Sequence, residues 1–352
     1  MSTARPADGY FFEDFTPGRH FRHATPRTLT EGDASLYIAL TGSRFAVNCS
    51  APLARALGYP GCPLDDFLVF NVAFGKTVPD ISYNAIANLG YADVRFLAPV
   101  YAGDTLTCES EVIGIKPNSS GASGVVYVHS RALNQDGIEV LGWSRWVMVT
   151  ARAAAQGAAA IPQLPAEVSP AQLRPAPYVD AHALTPEVTG SERLWEDFRT
   201  GETLDHPGGM TVEESDHMLA TRLYQNTARI HFDAFRARGN QFGKRLIYGG
   251  HVISLCRALS YEGLENAFAV AAIHGGAHAN PTFAGDTLYC RHVVVSRDEI
   301  PGRDDVGALR LRMLGVRNLA LADVPALPPG GKHPAVALDL DYSVLIPRRQ
   351  NP

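Results

Sequence analysis

The sequence contains itself twice. "FEDFTPG" at 12–18 is answered by "WEDFRTG" at 195–201, and "TLTEGD" at 28–33 by "TVEESD" at 211–216, both pairs at the same offset. "YAGDT" at 101–105 returns as "FAGDT" at 283–287, and "NAIA" at 84–87 as "NAFA" at 266–269, both at an offset one position shorter. A register held from the first of these motifs to the last with a single slip is an internal duplication. The chain must therefore build one supersecondary unit twice and pack the two copies together.

An Ala- and Pro-rich stretch at 151–191, mostly without helical or strand periodicity, reads as a linker. It divides the chain into halves 1–150 and 192–352. Each half opens with an E-D-F-x-x-G turn, and Thr28/Glu31 and Thr211/Glu214 have capping-box spacing. A helix follows ("DASLYIAL", "DHMLATRLY"), then a second, more apolar one ("FLVFNVAFGKT", "GGHVISLCRALSYEG"). Three strand patterns close each half: "DTLTCESEVIGI", "GVVYVHSRALN" and "EVLGWSRWVMV", then "DTLYCRHVVVS", "ALRLRMLGV" and "AVALDLDYSVLI". One apolar helix followed by an antiparallel meander predicts an α+β unit in which a sheet wraps the helix. Two such sheets can join edge to edge, which removes an exposed edge from each.

Composition excludes several functions. With 31 basic and 36 acidic residues and no long basic run, the chain is not expected to bind nucleic acid. No run approaches the roughly 18 apolar residues of a membrane span. The five cysteines include no C-x-x-C pair, so a reducing cytoplasm is expected. His206, His217, His274, His278 and His292 follow no H-E-x-x-H or similar spacing, and no metal is expected. No G-x-S-x-G or phosphate-loop pattern occurs. Asp104 and Asp286 of the A-G-D-T repeats read as turn residues.

"YQNTARIHFD" (224–233) ends a stretch that reads as helix. Taken alone, its His231 is a packed or capping residue as readily as a base. "HATPRTLTEGD" (23–33), "FGKTVPDISYNAIANLGYADVRF" (74–96), "GVVYVHS" (124–130), "RWVMV" (145–149), "ATRLYQNTARIHF" (220–232), "YGGHVISL" (248–255), "FAGDT" (283–287) and "IPRR" (346–349) change that balance. These stretches resemble the MaoC-like, R-specific enoyl-CoA hydratases in their double hot-dog form, and within them the branch acting on mesaconyl-C1-CoA.

The resemblance implies a hydro-lyase with an acyl-CoA substrate, no separate cofactor and a homo-oligomeric assembly. On its D-x-N-P-x-H motif, His231 falls on the His and Asn226 on the Asp, while Ala228 and Arg229 replace the Asn and Pro. His231 then acts as general base. Asn226, whose amide cannot accept a proton at neutral pH, can only orient the water or the ring. Gly249, in the "YGG" that follows His231, falls on the glycine whose N–H faces the thioester oxygen, with Gly250 and His251 next to it as substrate contacts. Arg229 and Arg222 are candidate partners for a second substrate carboxylate, and Arg44 for CoA phosphates. The positions one repeat earlier are Ser43, Asn48 and Asp66 or Phe67, so the first half is expected to be catalytically silent. The alternative is a hot-dog thioesterase or a non-catalytic acyl-CoA-binding protein using the same cavity.

Overall fold

A computed structural model describes residues 5–173, 177 and 179–349. The strands are β1 (His20–Arg22), β2 (Arg27–Thr28), β3 (Ala85–Phe96), β4 (Thr105–Pro117), β5 (Ser123–Leu133), β6 (Glu139–Thr150), β7 (Thr203–Thr211), β8 (Ala269–His278), β9 (Thr287–Glu299), β10 (Val306–Arg317) and β11 (Val336–Pro347). They form one antiparallel sheet in the order β1-β4-β5-β6-β3-β8-β11-β10-β9-β7, with β2 beside β4. The second half of that order mirrors the first. The principal helices are α1 (Glu31–Thr41), α2 (Asp66–Thr77), α3 (Glu214–Leu223), the single turn α4 (Arg229–Phe232) and α5 (Gly249–Leu259). The sheet wraps around α2 and α5, which are buried along almost their whole length: both are largely apolar, and the polar side chains they bury, such as Asn71, Ser254 and Arg257, are hydrogen-bonded. The result is the expected α+β double hot-dog.

The halves meet at β3 and β8, where Tyr91 pairs with Gly276 and Val94 with Ile273. Beneath this seam Asn71 Nδ2 of α2 donates to Ser254 Oγ of α5 at 3.0 Å and to Gly250 O at 3.2 Å. Asn71 and Ser254 are the same position of the repeat, so the pseudo-two-fold axis passes between them. Other contacts also occur in duplicate. Thr28 and Thr105 hydroxyls bond at 2.7 Å, and Thr211 and Thr287 at 2.8 Å. Asp104 accepts the Tyr101 N–H, and Asp286 the Phe283 N–H, each at 2.8 Å.

Three local expectations are corrected. The cap of α1 is Thr30 with Asp33, not Thr28 with Glu31, because Thr28 is held in β2 by Thr105. In the second half Glu213 occupies the cap position of α3, and its side chain accepts no capping hydrogen bond. The Ala- and Pro-rich connection is a packed strap: Ala160 pairs with Ile115, and Val168, Leu173, Val179, Ala181 and Leu184 share a core with residues of both halves. No helix among the described residues is long and apolar enough to cross a membrane.

Candidate active site

α3 stops at Leu223, earlier than the sequence suggested, because Gln225 takes a left-handed backbone with φ of 52°. The Asn226 N–H donates to Thr221 O at 3.1 Å, and its side-chain Oδ1 accepts the Ala228 N–H at 3.0 Å. This Asx turn redirects the chain into α4, so His231 stands on a separate helical turn rather than at the end of α3. Asn226 is itself buried.

The half-buried His231 donates its Nδ1–H to Leu246 O at 3.0 Å, while the Leu246 N–H returns a bond to Ile230 O at 3.1 Å. The ring packs edge-on against Tyr248 and His217, with centroids 5.6 and 6.4 Å away. Burial pushes the imidazole pKa down to about 4, outweighing the opposing bond to Leu246. His231 is therefore neutral at pH 7, and because Nδ1 carries the proton, Nε2 presents a lone pair. His217, fully buried, accepts the Tyr248 N–H on Nε2 at 3.3 Å. Its pKa falls to about 3, through burial first and then the neighbouring His231 and His251.

Gly249 opens α5, where the first N–H groups have no carbonyl within the helix and carry the positive end of its dipole. A Cβ here would come within 2.7 Å of His278 Cδ2 and closer still to Nε2, so only glycine fits. Gly250 is equally constrained, since a Cβ would overlap Asn71 Oδ1.

The remaining candidates are dispersed. Half-buried Arg229 reaches across to the first half, stacking on the Tyr83 ring at 4.2 Å and bonding its hydroxyl. His251 is buried against Tyr224, with 3.4 Å between Nδ1 and the hydroxyl. Arg222 lies exposed, its Nε folded back onto Met218 O of α3 at 3.2 Å. Arg44 pairs with Glu262 at 3.0 Å, beyond the C-terminal end of α5 and so roughly a helix length, on the order of 16 Å, from Gly249. Sequence reasoning missed His217, Tyr248, His278 and Tyr91, which the fold brings around His231 and Gly249, and Arg145, which lies behind them opposite Tyr91. Arg145 alone carried a legible signal, as the one charge within the otherwise uncharged run "VLGWSRWVMV".

The repeat supplies a control. Asn48, the repeat counterpart of His231, donates Nδ2 to Pro63 O at 3.0 Å, and Pro63 is the counterpart of Leu246 at the same offset. Asn48 thus keeps the donor function of His231 Nδ1 and has nothing equivalent to Nε2. At the position of Gly249, Asp66 turns its carboxylate to the Val270 N–H at 2.7 Å. Together they line a cavity of about 370 Å³ that has no histidine and whose helix N-terminus carries the Asp66 side chain in place of a glycine.

His206, His292 and Cys290 bring possible metal ligands within 4.8 Å of one another in the core. The imidazole nitrogens are already used. His206 bonds Glu262 O at 2.7 Å and His292 at 2.8 Å, and His292 bonds the Tyr342 hydroxyl at 2.9 Å. The repeat places His23 at the position of His206, where it bonds Asp80 at 2.7 Å and Ser110 at 2.8 Å. A hydrogen-bonded histidine tying the sheet to the loop after the central helix is thus common to both halves.

A family model for mesaconyl-CoA hydratase matches residues 3–318. The chain belongs to the mesaconyl-CoA hydratase family. It is 51% identical to a beta-methylmalyl-CoA dehydratase of Chloroflexus aurantiacus over 99% of both chains. It is 49% identical to a mesaconyl-CoA hydratase of Cereibacter sphaeroides, over 97% of this chain and 98% of that one. A solved MaoC domain dehydratase from Chloroflexus aurantiacus superposes with a TM-score of 0.94 at 51% identity, covering 99% of this chain and 100% of the other. A Mycobacterium tuberculosis protein described as a double hot-dog gives a TM-score of 0.78 at 25% identity, over 97% and 99% of the two chains. The double hot-dog that the resemblance implied is thus the fold shared with these solved relatives.

Proposed function

We propose that this chain reversibly adds water across the double bond of mesaconyl-C1-CoA to give β-methylmalyl-CoA. The observation that carries the reading is His231, its Nδ1 bonded to Leu246 O and its Nε2 without a partner among the described residues, set beside the N-terminus of α5. Hydration needs a base for the water, a proton for the carbon next to the thioester, and donors for the enolate oxygen. His231 Nε2 takes a proton from water as the hydroxyl oxygen bonds to the carbon bearing the free carboxylate. The electron pair of the double bond moves towards the thioester, whose oxygen takes negative charge facing the Gly249 N–H. The imidazolium then returns the proton to the carbon next to the thioester. One oxygen and two hydrogens are added and nothing is oxidised. In this reading Asn226, whose Oδ1 accepts the Ala228 N–H, orients the water through its amide nitrogen.

His231→Ala is expected to lower the rate of loss of enoyl-thioester absorbance by about 10²–10⁴-fold without release of free thiol by either protein. Thiol release by the wild type would indicate a thioesterase, and an unimpaired His231→Ala variant would remove the base from the mechanism.

A further inference from the structure

Arg145 is 0% exposed, one of the largest side chains that the fold buries completely. Its guanidinium touches only neutral groups: Thr77 Oγ1 at 2.9 Å, Ser82 Oγ at 3.3 and 3.4 Å, and the Phe74 ring face at 4.1 Å. Its Nε–H has no acceptor, and it makes no ion pair among the described residues. Other arginines of the same sheet are treated differently. Arg312 is held by both oxygens of Asp339 at 2.8 and 2.7 Å, and Arg310 by both oxygens of Asp341 at 2.9 and 2.8 Å. A buried cation left without its anion is destabilising, and it persists where another gain offsets the cost.

Its surroundings say which anion. Across the β3–β6 ladder Arg145 sits opposite Tyr91, whose hydroxyl shares a hydrogen bond with His278 Nε2 at 3.1 Å, and His278 stands against Gly249. The Phe74 ring that carries the guanidinium is 5.8 Å from the Tyr248 ring, which in turn packs on His231 at 5.6 Å. The Tyr248 hydroxyl is buried without a partner and lies within electrostatic reach of Arg145. Two donors lacking acceptors therefore stand in sequence behind the base, the Tyr248 hydroxyl on the ring that packs on His231 and the Arg145 guanidinium beyond Phe74. Arg229 and Lys76 are also held by neutral groups, Tyr83 for the first and Gln225 and Thr25 for the second, but Arg145 differs from both in being 0% exposed with a donor left over.

We infer that Arg145 is the counter-ion for a free carboxylate on the acyl group, which makes this site selective for dicarboxylic acyl thioesters. The inference rests on the hydratase reading and names the residue that sets its substrate class. In mesaconyl-C1-CoA the free carboxylate is attached to the carbon that receives the hydroxyl, so its partner must belong to the wall around the base, which the Tyr248 and Phe74 rings extend from His231 to Arg145. Thr77 and Ser82 orient the guanidinium without neutralising it, which keeps its charge for the substrate. The silent half lacks this group. Ile273 is the repeat counterpart of Tyr91, and its neighbour across the β8–β11 ladder is Tyr342, whose hydroxyl is spent on His292.

The test compares mesaconyl-C1-CoA with crotonyl-CoA, which lacks the second carboxylate, in wild type, Arg145→Met and Arg145→Lys. In Arg145→Met, kcat/KM for the dicarboxylic substrate is expected to fall about 100-fold while that for crotonyl-CoA changes little, so the preference collapses; Arg145→Lys falls between. A variant that keeps the wild-type preference overturns the assignment. A binding measurement runs independently of turnover: the unreactive methylsuccinyl-CoA should raise the wild-type melting temperature more than 2-methylbutyryl-CoA does, and Arg145→Lys should narrow the gap. Equal shifts in the wild type overturn the assignment even if Arg145→Met does not fold. Wild-type protein that releases thiol overturns the hydratase reading instead, and the melting comparison still decides the role of Arg145.

Discussion

Gly249→Ala isolates the helix N-terminus from the base. The new Cβ would come within 2.7 Å of His278 Cδ2, whereas carbon atoms pack best at about 3.5–4.0 Å, so the ring or the start of α5 must move by the order of 1 Å. A displacement of that size at a reacting centre costs about 10²-fold in rate, and loss of one oxyanion donor about 10²–10³-fold. The overlap also costs about 1–3 kcal/mol of stability, partly offset by about 1 kcal/mol from replacing a helical glycine. Initial rates with mesaconyl-C1-CoA should therefore show kcat reduced about 100-fold, with a melting temperature only modestly lowered. His278→Ala removes the obstacle. In a double-mutant cycle, Gly249→Ala should be at least tenfold less damaging in the His278→Ala background than alone. A Gly249→Ala enzyme with kcat within about twofold of wild type would refute the displacement of this N–H by the overlap, and an additive cycle would refute the His278 contact as its cause.

Asn226→Asp keeps the acceptor that bonds the Ala228 N–H, so the turn should hold, and the nearby carboxylate should move the acid limb of the rate profile to higher pH by favouring protonated His231. Asn226→Ala should instead lower stability by about 1 kcal/mol, measured by denaturant unfolding. Asn48→Ala, which removes the bond to Pro63 O in the first half, is likewise expected to cost about 1 kcal/mol of stability while leaving the hydration rate unchanged. The pH dependence of melting has two opposed parts. Burial holds His231, His251 and His278 near 4, below the 6.5 of the unfolded chain, so unfolding takes up protons and stability falls as pH drops from 6.5 to about 4. Asp66, raised by burial to about 7, opposes this: between 3.8 and about 7 the folded carboxyl keeps a proton the unfolded one has lost, so stability falls as pH rises. Asp66→Asn should therefore raise the melting temperature at pH 8 and change it little at pH 4.

The parts of the fold that the sequence reveals are those built on local pattern. β4–β6 and β9–β11 alternate or run apolar with β-branched residues, and α2 and α5 are largely apolar. β3 and β8 are not legible, because "AIANLGYADVRF" and "AVAAIHGGAH" are rich in Ala and Gly and poor in β-branched residues. Small residues suit strands packed between sheet neighbours on both sides at a seam, so the pattern there answers to tertiary structure. The site divides in the same way. His231 and Gly249 lie within one stretch and are picked out by its resemblance to a family motif, whereas Tyr91, Arg145 and His278 come from three strands that meet only once the sheet closes.

The seam between β3 and β8 has a further consequence. When two identical chains form a site at their boundary, every substitution appears on both sides of it at once. Here the two sides are encoded separately, so one copy can hold His231 while the other holds Asn48, and one ladder can carry Arg145 where its twin carries Tyr342. Joining the copies end to end lets each half change its side chains at the seam without imposing the same change on the other.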